Sequence, residues 1–124
     1  MTEGYEEEIG RRFANRTFRS GGQFLYDIPT ARDVVAFCAT REISVVGLEG
    51  FVVTGRNVRP LLDYIASWDD VLRRPWAEYV KKCQEYAART LDLWAGTAPD
   101  GFRVRVAMAS EQEMASMRRN PRQS

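Results

Sequence analysis

Four carboxylates and one tryptophan come closest to a constellation that could do chemistry. Asp69 and Asp70 are adjacent and follow Trp68, Asp63 lies six residues before Asp69, and Glu49 is the acid of an otherwise apolar stretch. Two carboxylates across a cleft can hydrolyse a glycosidic bond when one stays protonated and the other ionised. Because aspartate also favours helix ends and N-caps, we interpret Asp69 and Asp70 first as helix termination.

The sequence contains no histidine. This excludes Ser-His-Asp and Cys-His nucleophiles, imidazole acid-base catalysis, and nearly all zinc and iron sites of the usual kinds. Cys38 and Cys83 lie within apolar helical stripes, which predicts reduced core thiols. The segment Gly47-Leu-Glu-Gly-Phe lacks the lysine and hydroxyl of a phosphate-binding loop. We therefore expect no catalytic residue, no metal ligand and no cofactor, and we rank binding above enzymatic activity.

Length and charge set the wider class. The 124 residues, 44% of them hydrophobic, predict a single domain over residues 1–124. Basic and acidic residues nearly cancel, at 18 against 17, so any charged partner must meet a local patch. No apolar run reaches the length of a membrane span, and the first residues are acidic where a signal peptide is basic. We expect a cytoplasmic protein that does not bind membranes.

Arginines form three groups that could contact nucleic acid. They are Arg11, Arg12, Arg16 and Arg19 near the start, Arg103 and Arg105 on the last predicted strand, and Arg118, Arg119 and Arg122 in the tail. The aromatic residues of RNA-binding sheets are missing beside them, and Phe102 alternates away from Arg103 and Arg105. Nucleic acid is therefore a disfavoured partner.

Hydrophobic periodicity and turn residues place these groups on elements. The predicted order is a helix over residues 1–14, a strand over 23–28, a helix from Pro29, two strand segments over 43–55, a helix from Pro60 to Trp68, a long helix from Pro75 to about Ala95, a strand over 102–108, and a short helix after Ser110. Residues 119–124 are expected to fray.

Three local features refine this order. Thr30 with Asp33, and Ser110 with Glu113, have the spacing of capping boxes. The 43–55 stretch is either one strand bent at its glycines or a hairpin turning at Glu49, and two segments are favoured. Helices and strands without regular alternation predict an α+β fold, in which helices cover a small, mainly antiparallel sheet of three to four strands around one long central helix.

Two segments together resemble a known class of protein. Ile43-Ser-Val-Val-Gly-Leu-Glu-Gly-Phe, followed by a glycine turn and Pro60-Leu-Leu-Asp-Tyr-Ile-Ala-Ser-Trp, resembles small bacterial immunity proteins of contact-dependent or polymorphic toxin systems, over about a quarter of the chain. The resemblance implies a small cytoplasmic protein that inhibits a cognate toxin by occluding its active site and performs no chemistry itself.

This hypothesis assigns the acids and the tryptophan to a protein partner. Glu49, Asp63, Asp69 and Asp70 would complement a basic toxin site, and Trp68, expected to be partly exposed at the end of its helix, would anchor the contact. Two alternatives remain open at this stage. One is a small-molecule pocket between the long helix and the sheet, and the other is a nucleic-acid-associated accessory role. The sequence leaves the oligomeric state open.

Overall fold

A computed structural model describes residues 4–68 and 75–119 of the chain, which form helices and one sheet. The helices are α1 (Tyr5–Arg12), α2 (Ile28–Thr40), α3 (Trp76–Ala95) and α4 (Glu111–Arg119), with one 3-10 turn at Ala14–Arg16. The strands are β1 (Thr17–Ser20), β2 (Gln23–Tyr26), β3 (Ser44–Thr54), β4 (Asn57–Ser67) and β5 (Phe102–Ala109). The α+β class is confirmed, and the described sheet has five strands where three to four were predicted.

The sheet is antiparallel throughout, in the order β1-β2-β5-β3-β4. β5 lies in the middle and pairs with β3 along its whole length, from Phe102 opposite Val52 to Ala109 opposite Ser44. On its other side β5 pairs with β2 at a single position, Val104 opposite Tyr26. The β1–β2 hairpin is therefore joined to the sheet much more loosely than the β3–β4 hairpin is.

The predicted long helix is confirmed as α3. Pro75 occupies its N-cap and Gly96 its C-cap. Proline is tolerated at the start of a helix but not in its interior, and glycine readily ends a helix. Its buried residues recur at helical spacing and lie against α2 and β3. They are Tyr79, Val80, Cys83, Ala87, Leu91 and Trp94. The helix thereby forms the centre of the layer that covers the sheet.

Helix α2 begins one turn earlier than its predicted capping pair. Asp27 is the N-cap, and its carboxylate accepts a hydrogen bond from the Thr30 backbone N–H at 2.9 Å. Thr30 is itself buried, and its hydroxyl accepts a hydrogen bond from Arg16 at 3.2 Å. The predicted Thr30–Asp33 capping pair is therefore wrong, because Asp27 already satisfies the first free N–H of the helix. The Ser110–Glu113 capping box of α4 is confirmed in both directions.

The Asp27 cap predicts an acid-sensitive contribution to stability. Burial tends to raise the pKa of Asp27, but hydrogen bonds from Thr30 and the nearby Arg103 and Arg16 outweigh it and lower the pKa. Because the pKa of Asp27 is lower in the folded state, its carboxylate stabilises the protein at pH values above its pKa in the unfolded chain, about 3.9. This stabilisation is lost as the pH falls through the pKa of the folded state. We expect Asp27→Ala to lower the free energy of unfolding by about 1 kcal/mol near neutral pH.

Urea unfolding at pH 7 and again below pH ~3.9 tests this expectation. Asp27→Asn is the matched control because it keeps a cap oxygen and removes the charge. The difference in the free energy of unfolding between the wild type and Asp27→Asn should become smaller at the lower pH. A difference that stays constant with pH would contradict the role given to the carboxylate charge.

The region from residue 43 to Trp68 differs most from the sequence-based expectation. β3 is one strand without a turn at Glu49, and the hairpin turn lies at Gly55, whose φ of 62° favours glycine. The predicted helix from Pro60 to Trp68 is wrong, because these residues form most of edge strand β4. An edge strand tolerates proline, since the missing N–H has no ladder partner to satisfy.

A large bulge explains why β4 resembles a helix in sequence. Glu49 pairs with Ile65 and Phe51 with Pro60, so residues 61–64 of β4 lie opposite Gly50 alone. The extra residues break the period-two alternation of a regular strand and leave apolar side chains at spacings that also fit a helix.

The core lies between the sheet and the helices. Leu48, Val104 and Val106 from the sheet pack in one cluster with residues of α2 and α3. Cys38 and Cys83 are thiols that are fully buried there, which confirms the prediction of core thiols. Burial raises the pKa of the Cys38 thiol to about 12, so it stays protonated at neutral pH.

Candidate functional site

The two faces of the sheet have different surroundings. Glu49 pairs with Arg105 and Phe51 with Arg103, so these four side chains point to one face, opposite to the core residue Leu48. The helices of residues 4–68 and 75–119 all pack on the core side. We call the other side, defined by Glu49, Phe51, Arg103, Arg105 and the neighbouring Ile65, the open face.

An ion pair lies in the middle of the open face. The Arg105 guanidinium donates a hydrogen bond to the Glu49 carboxylate at 2.8 Å, with the two side chains 37% and 42% exposed. A pair this exposed contributes at most about 1 kcal/mol to stability. Its effect is to fix the position of both groups and to balance their charge. Glu49, which the sequence offers as a contact for a partner's arginine, already has an internal arginine beside it.

Two large apolar side chains of β4 are exposed, and one of them lies beside this pair. Leu62 is 82% exposed and Ile65, directly opposite Glu49 in the sheet, is 56% exposed. Asp63 lies between them along the strand and is exposed as well. Phe51 adds apolar surface but is itself buried, at 7% exposure. The open face thus joins an apolar strip on the edge strand to a charged pair at its centre.

Tyr64 holds the bulge of β4 in place. Its ring lies 4.9 Å from that of Phe102 and 5.5 Å from that of Trp94, and its hydroxyl donates to the Thr97 carbonyl at 3.0 Å. Gly50 lies opposite with no side chain, which leaves the room that Tyr64 and Phe102 occupy. Because Tyr64 is fixed on the core side, the segment around Leu62 and Asp63 is directed to solvent in a defined shape.

The structure brings together some of the predicted site residues. Glu49 and Asp63 lie on the neighbouring strands β3 and β4, and the Asp63 side chain is exposed. Trp68 follows β4 but is 9% exposed, and its indole N–H donates to the Val45 carbonyl at 2.8 Å. The expectation that Trp68 is partly exposed is therefore wrong, because a strand and not a helix carries it into the core. Asp69 and Asp70 lie outside the described residues.

The open face and the adjoining Asp63 of β4 together carry balanced charge. Arg103 and Arg105 supply two positive charges and Glu49 and Asp63 two negative ones, so the sum over these four residues is zero. Arg105 was missed as a site residue because it lies 56 positions from Glu49 in the sequence. The alternation of residues 102–108 does place it on an outward strand face. Only the register of the sheet shows which acid it meets.

Two of the concave regions formed by the described residues lie away from the open face. One is a cavity of about 450 Å³ where β2 diverges from β5, lined by Tyr26, Phe24, Val106 and Met108 and by Ile9 of α1. Burial raises the pKa of Tyr26 to about 12. This cavity is at α1, whereas the sequence-based alternative placed a small-molecule pocket at the long helix. The other is a groove between α1 and α2 that is lined by arginines.

The arginine groups considered for nucleic acid are separated in the fold. Arg103 and Arg105 belong to the open face, where Arg105 is paired with Glu49. Arg16 lies on the helical side and pairs with Asp33 at 2.7 Å. Arg19 lies over the ring of Phe24 at 5.1 Å. Among the described residues, these arginines therefore form no continuous basic stripe of the kind that binds nucleic acid, and the side chains of Arg118, Arg119 and Arg122 lie outside the described part.

No protein-family model, no curated protein and no solved structure matches the chain. Within the described ranges, no three histidine, cysteine or acidic residues are grouped so that they could hold a metal ion. No helix of the described part is long and apolar enough to cross a membrane.

Proposed function

We propose that this chain is a protein-binding domain that uses the open face and the adjoining strip of β4. The single observation that carries the proposal is the exposure of Leu62 and Ile65 on an edge strand, 82% and 56%, beside a preformed ion pair. Large apolar side chains grouped on a surface are typical of protein interfaces. Their placement on a braced strand means that little conformational entropy is lost on binding.

The expected energetics suit a specific interface. Burying a leucine or isoleucine side chain fully contributes about 1.5–3 kcal/mol. Leu62 and Ile65 together therefore supply the apolar centre of a contact, and Arg103, Asp63 and the Glu49–Arg105 pair supply its charged surround. Polar groups around an apolar centre exclude water and set the orientation of the partner.

The partner's surface should match this arrangement. We propose that the partner presents an apolar patch bordered by both a basic and an acidic group, since the open face and the adjoining Asp63 together carry both charges in equal number. The resemblance of residues 43–51 and 60–68 to immunity proteins supports a cognate bacterial toxin as the partner class. In that case, binding would block the toxin's active site sterically, with this chain contributing no reacting group.

Replacement of the two apolar side chains tests the proposal. Leu62→Ser combined with Ile65→Thr should weaken capture of the partner by at least about 30-fold, corresponding to about 2 kcal/mol of lost burial. The measurement is quantitative co-purification with the toxin-like product of a neighbouring gene, with circular dichroism to verify the fold.

Leu93→Ser is the matched control. Leu93 is 73% exposed, like Leu62, but lies on α3, which packs on the core side of the sheet. Unchanged capture by the folded Leu62→Ser, Ile65→Thr variant would refute the assignment of the surface. An equal loss in the Leu93→Ser variant would show that general surface hydrophobicity, and not this strip, determines capture.

A further inference from the structure

The groove between α1 and α2 is unlike the rest of the surface. It has a volume of about 780 Å³ and is lined by Arg12 and Arg16 on one side and by Asp33, Phe37 and Arg41 on the other. The latter three recur every four residues along α2 and its C-cap. At 1.5 Å per residue they span about 12 Å, so the groove is long enough for several residues of a bound chain.

Phe37 organises two of the three guanidinium groups. The guanidinium carbon of Arg12 lies 4.6 Å from the centre of the Phe37 ring, and that of Arg41 lies 5.3 Å from it. Phe13 packs edge-on against Phe37 at 6.0 Å and fixes the ring. Cation–π contacts of this kind hold arginine side chains in place while their N–H groups remain able to donate.

The groups in the groove are unequally neutralised. Arg16 donates to Asp33 at 2.7 Å, and Arg41 donates to Glu8 at 2.7 Å. Arg12 has its contact with Phe37 but no carboxylate partner among residues 4–68 and 75–119. Three guanidiniums against two carboxylates leave one positive charge, and it is located at Arg12, which lines the groove.

We propose that this groove binds a carboxylate-bearing segment of a protein partner, with Arg12 forming a bidentate pair with one acidic side chain. The charge excess of one matches a carboxylate better than a phosphate, which carries more charge and is usually met by several unpaired cations. The guanidiniums of Arg12 and Arg41 already lie over the Phe37 ring and leave little of it for a nucleic-acid base. The groove is on the helical side, so this proposal is independent of the open face.

A titration of the full-length protein tests the proposal. The probes are an acetylated and amidated tetraglutamate peptide and, separately, inorganic phosphate. Binding of each is measured by isothermal titration calorimetry and by the change in the NMR signal of the Arg12 side chain. We expect the peptide to bind and to shift that signal, and Arg12→Gln to weaken binding at least about tenfold. Arg12→Lys should restore only part of the affinity, because a lysine lacks the planar fork.

Arg89→Gln is the matched control, since Arg89 also lies over an aromatic ring, that of Tyr86 at 5.9 Å, but is on α3. It should leave binding unchanged. The proposal is overturned if the peptide does not bind at millimolar concentration, if Arg12→Gln has no effect, or if Arg89→Gln weakens binding equally. Phosphate binding as tight as that of the peptide, with the same dependence on Arg12, would overturn the choice of a protein segment in favour of a free anion.

Discussion

Replacing Trp68 with alanine is expected to lower the free energy of unfolding by about 3–5 kcal/mol, a large part of a small domain's stability. The side chain is 9% exposed, packs 5.9 Å from the ring of Tyr86, and donates its N–H to the Val45 carbonyl. The substitution leaves a cavity in the core and removes a buried hydrogen bond to the Val45 carbonyl, and both effects destabilise. Urea unfolding followed by circular dichroism measures the change.

Trp68→Phe separates the two effects, because it keeps an aromatic ring and removes the hydrogen bond. We expect the free energy of unfolding of Trp68→Phe to lie between those of the wild type and Trp68→Ala. A Trp68→Ala variant within about 1 kcal/mol of the wild type would contradict the burial of this side chain. Partner capture per folded molecule should remain that of the wild type, since Trp68 supports the strand and does not contribute to the surface.

Adding a single methyl group at Gly50 is expected to destabilise the protein by about 3 kcal/mol, at the upper end of what overpacking costs. A Cβ atom at this position would lie 2.6 Å from the Cβ of Tyr64 and 2.7 Å from the ring of Phe102. The Tyr64 Cβ is fixed to the backbone and its ring is held by Trp94 and Thr97, so relief requires β4 to move.

Gly22→Ala is the control for Gly50→Ala, because a Cβ at Gly22 meets no atom within 4 Å. We expect it to change the unfolding free energy by less than about 1 kcal/mol. Equal midpoints for the two variants in urea would contradict the close packing of β3 against Tyr64. Because Gly50→Ala displaces the bulge, it should also weaken partner capture by the folded protein.

Much of the helical layer could be predicted because its signals are local. Pro75, Gly96 and the stripe between them lie within one helix, and the structure places α3 where they indicate. The alternation from Phe102 to Met108 likewise identifies β5. The Ser110–Glu113 box needs only three residues of spacing and is formed as expected. Each of these features depends on neighbours in sequence, so no long-range information was needed.

β4 could not be predicted because its pattern is set by a partner strand. Its bulge exists because Gly50 leaves room for Tyr64, a relation that the sequence does not display. Residues 60–68 were therefore predicted to form a helix, although they lie largely in a strand that exposes Leu62 and Ile65. The burial of Trp68 follows from the same register. Tertiary pairing here overrides the local periodicity.

The candidate site was foreseen in part. Glu49 was singled out because a carboxylate is unusual in an apolar strand, and it does lie at the centre of the open face. Its arginine is 56 residues away, and one residue of register slip would move Arg105 to the other side of the sheet. The arginine groove between α1 and α2 was missed for a similar reason. Arg12 and Phe37 meet only when the two helices pack.

The strand order also constrains how the protein can be made. β5 enters between β2 and β3, yet it is the last of the described strands to be synthesised. Until residues 102–109 have left the ribosome, the nascent chain contains two separate hairpins that β5 does not yet join. Their unpaired edges and the apolar side of β3 stay uncovered by β5 until then, and in that interval such a chain is most prone to aggregate.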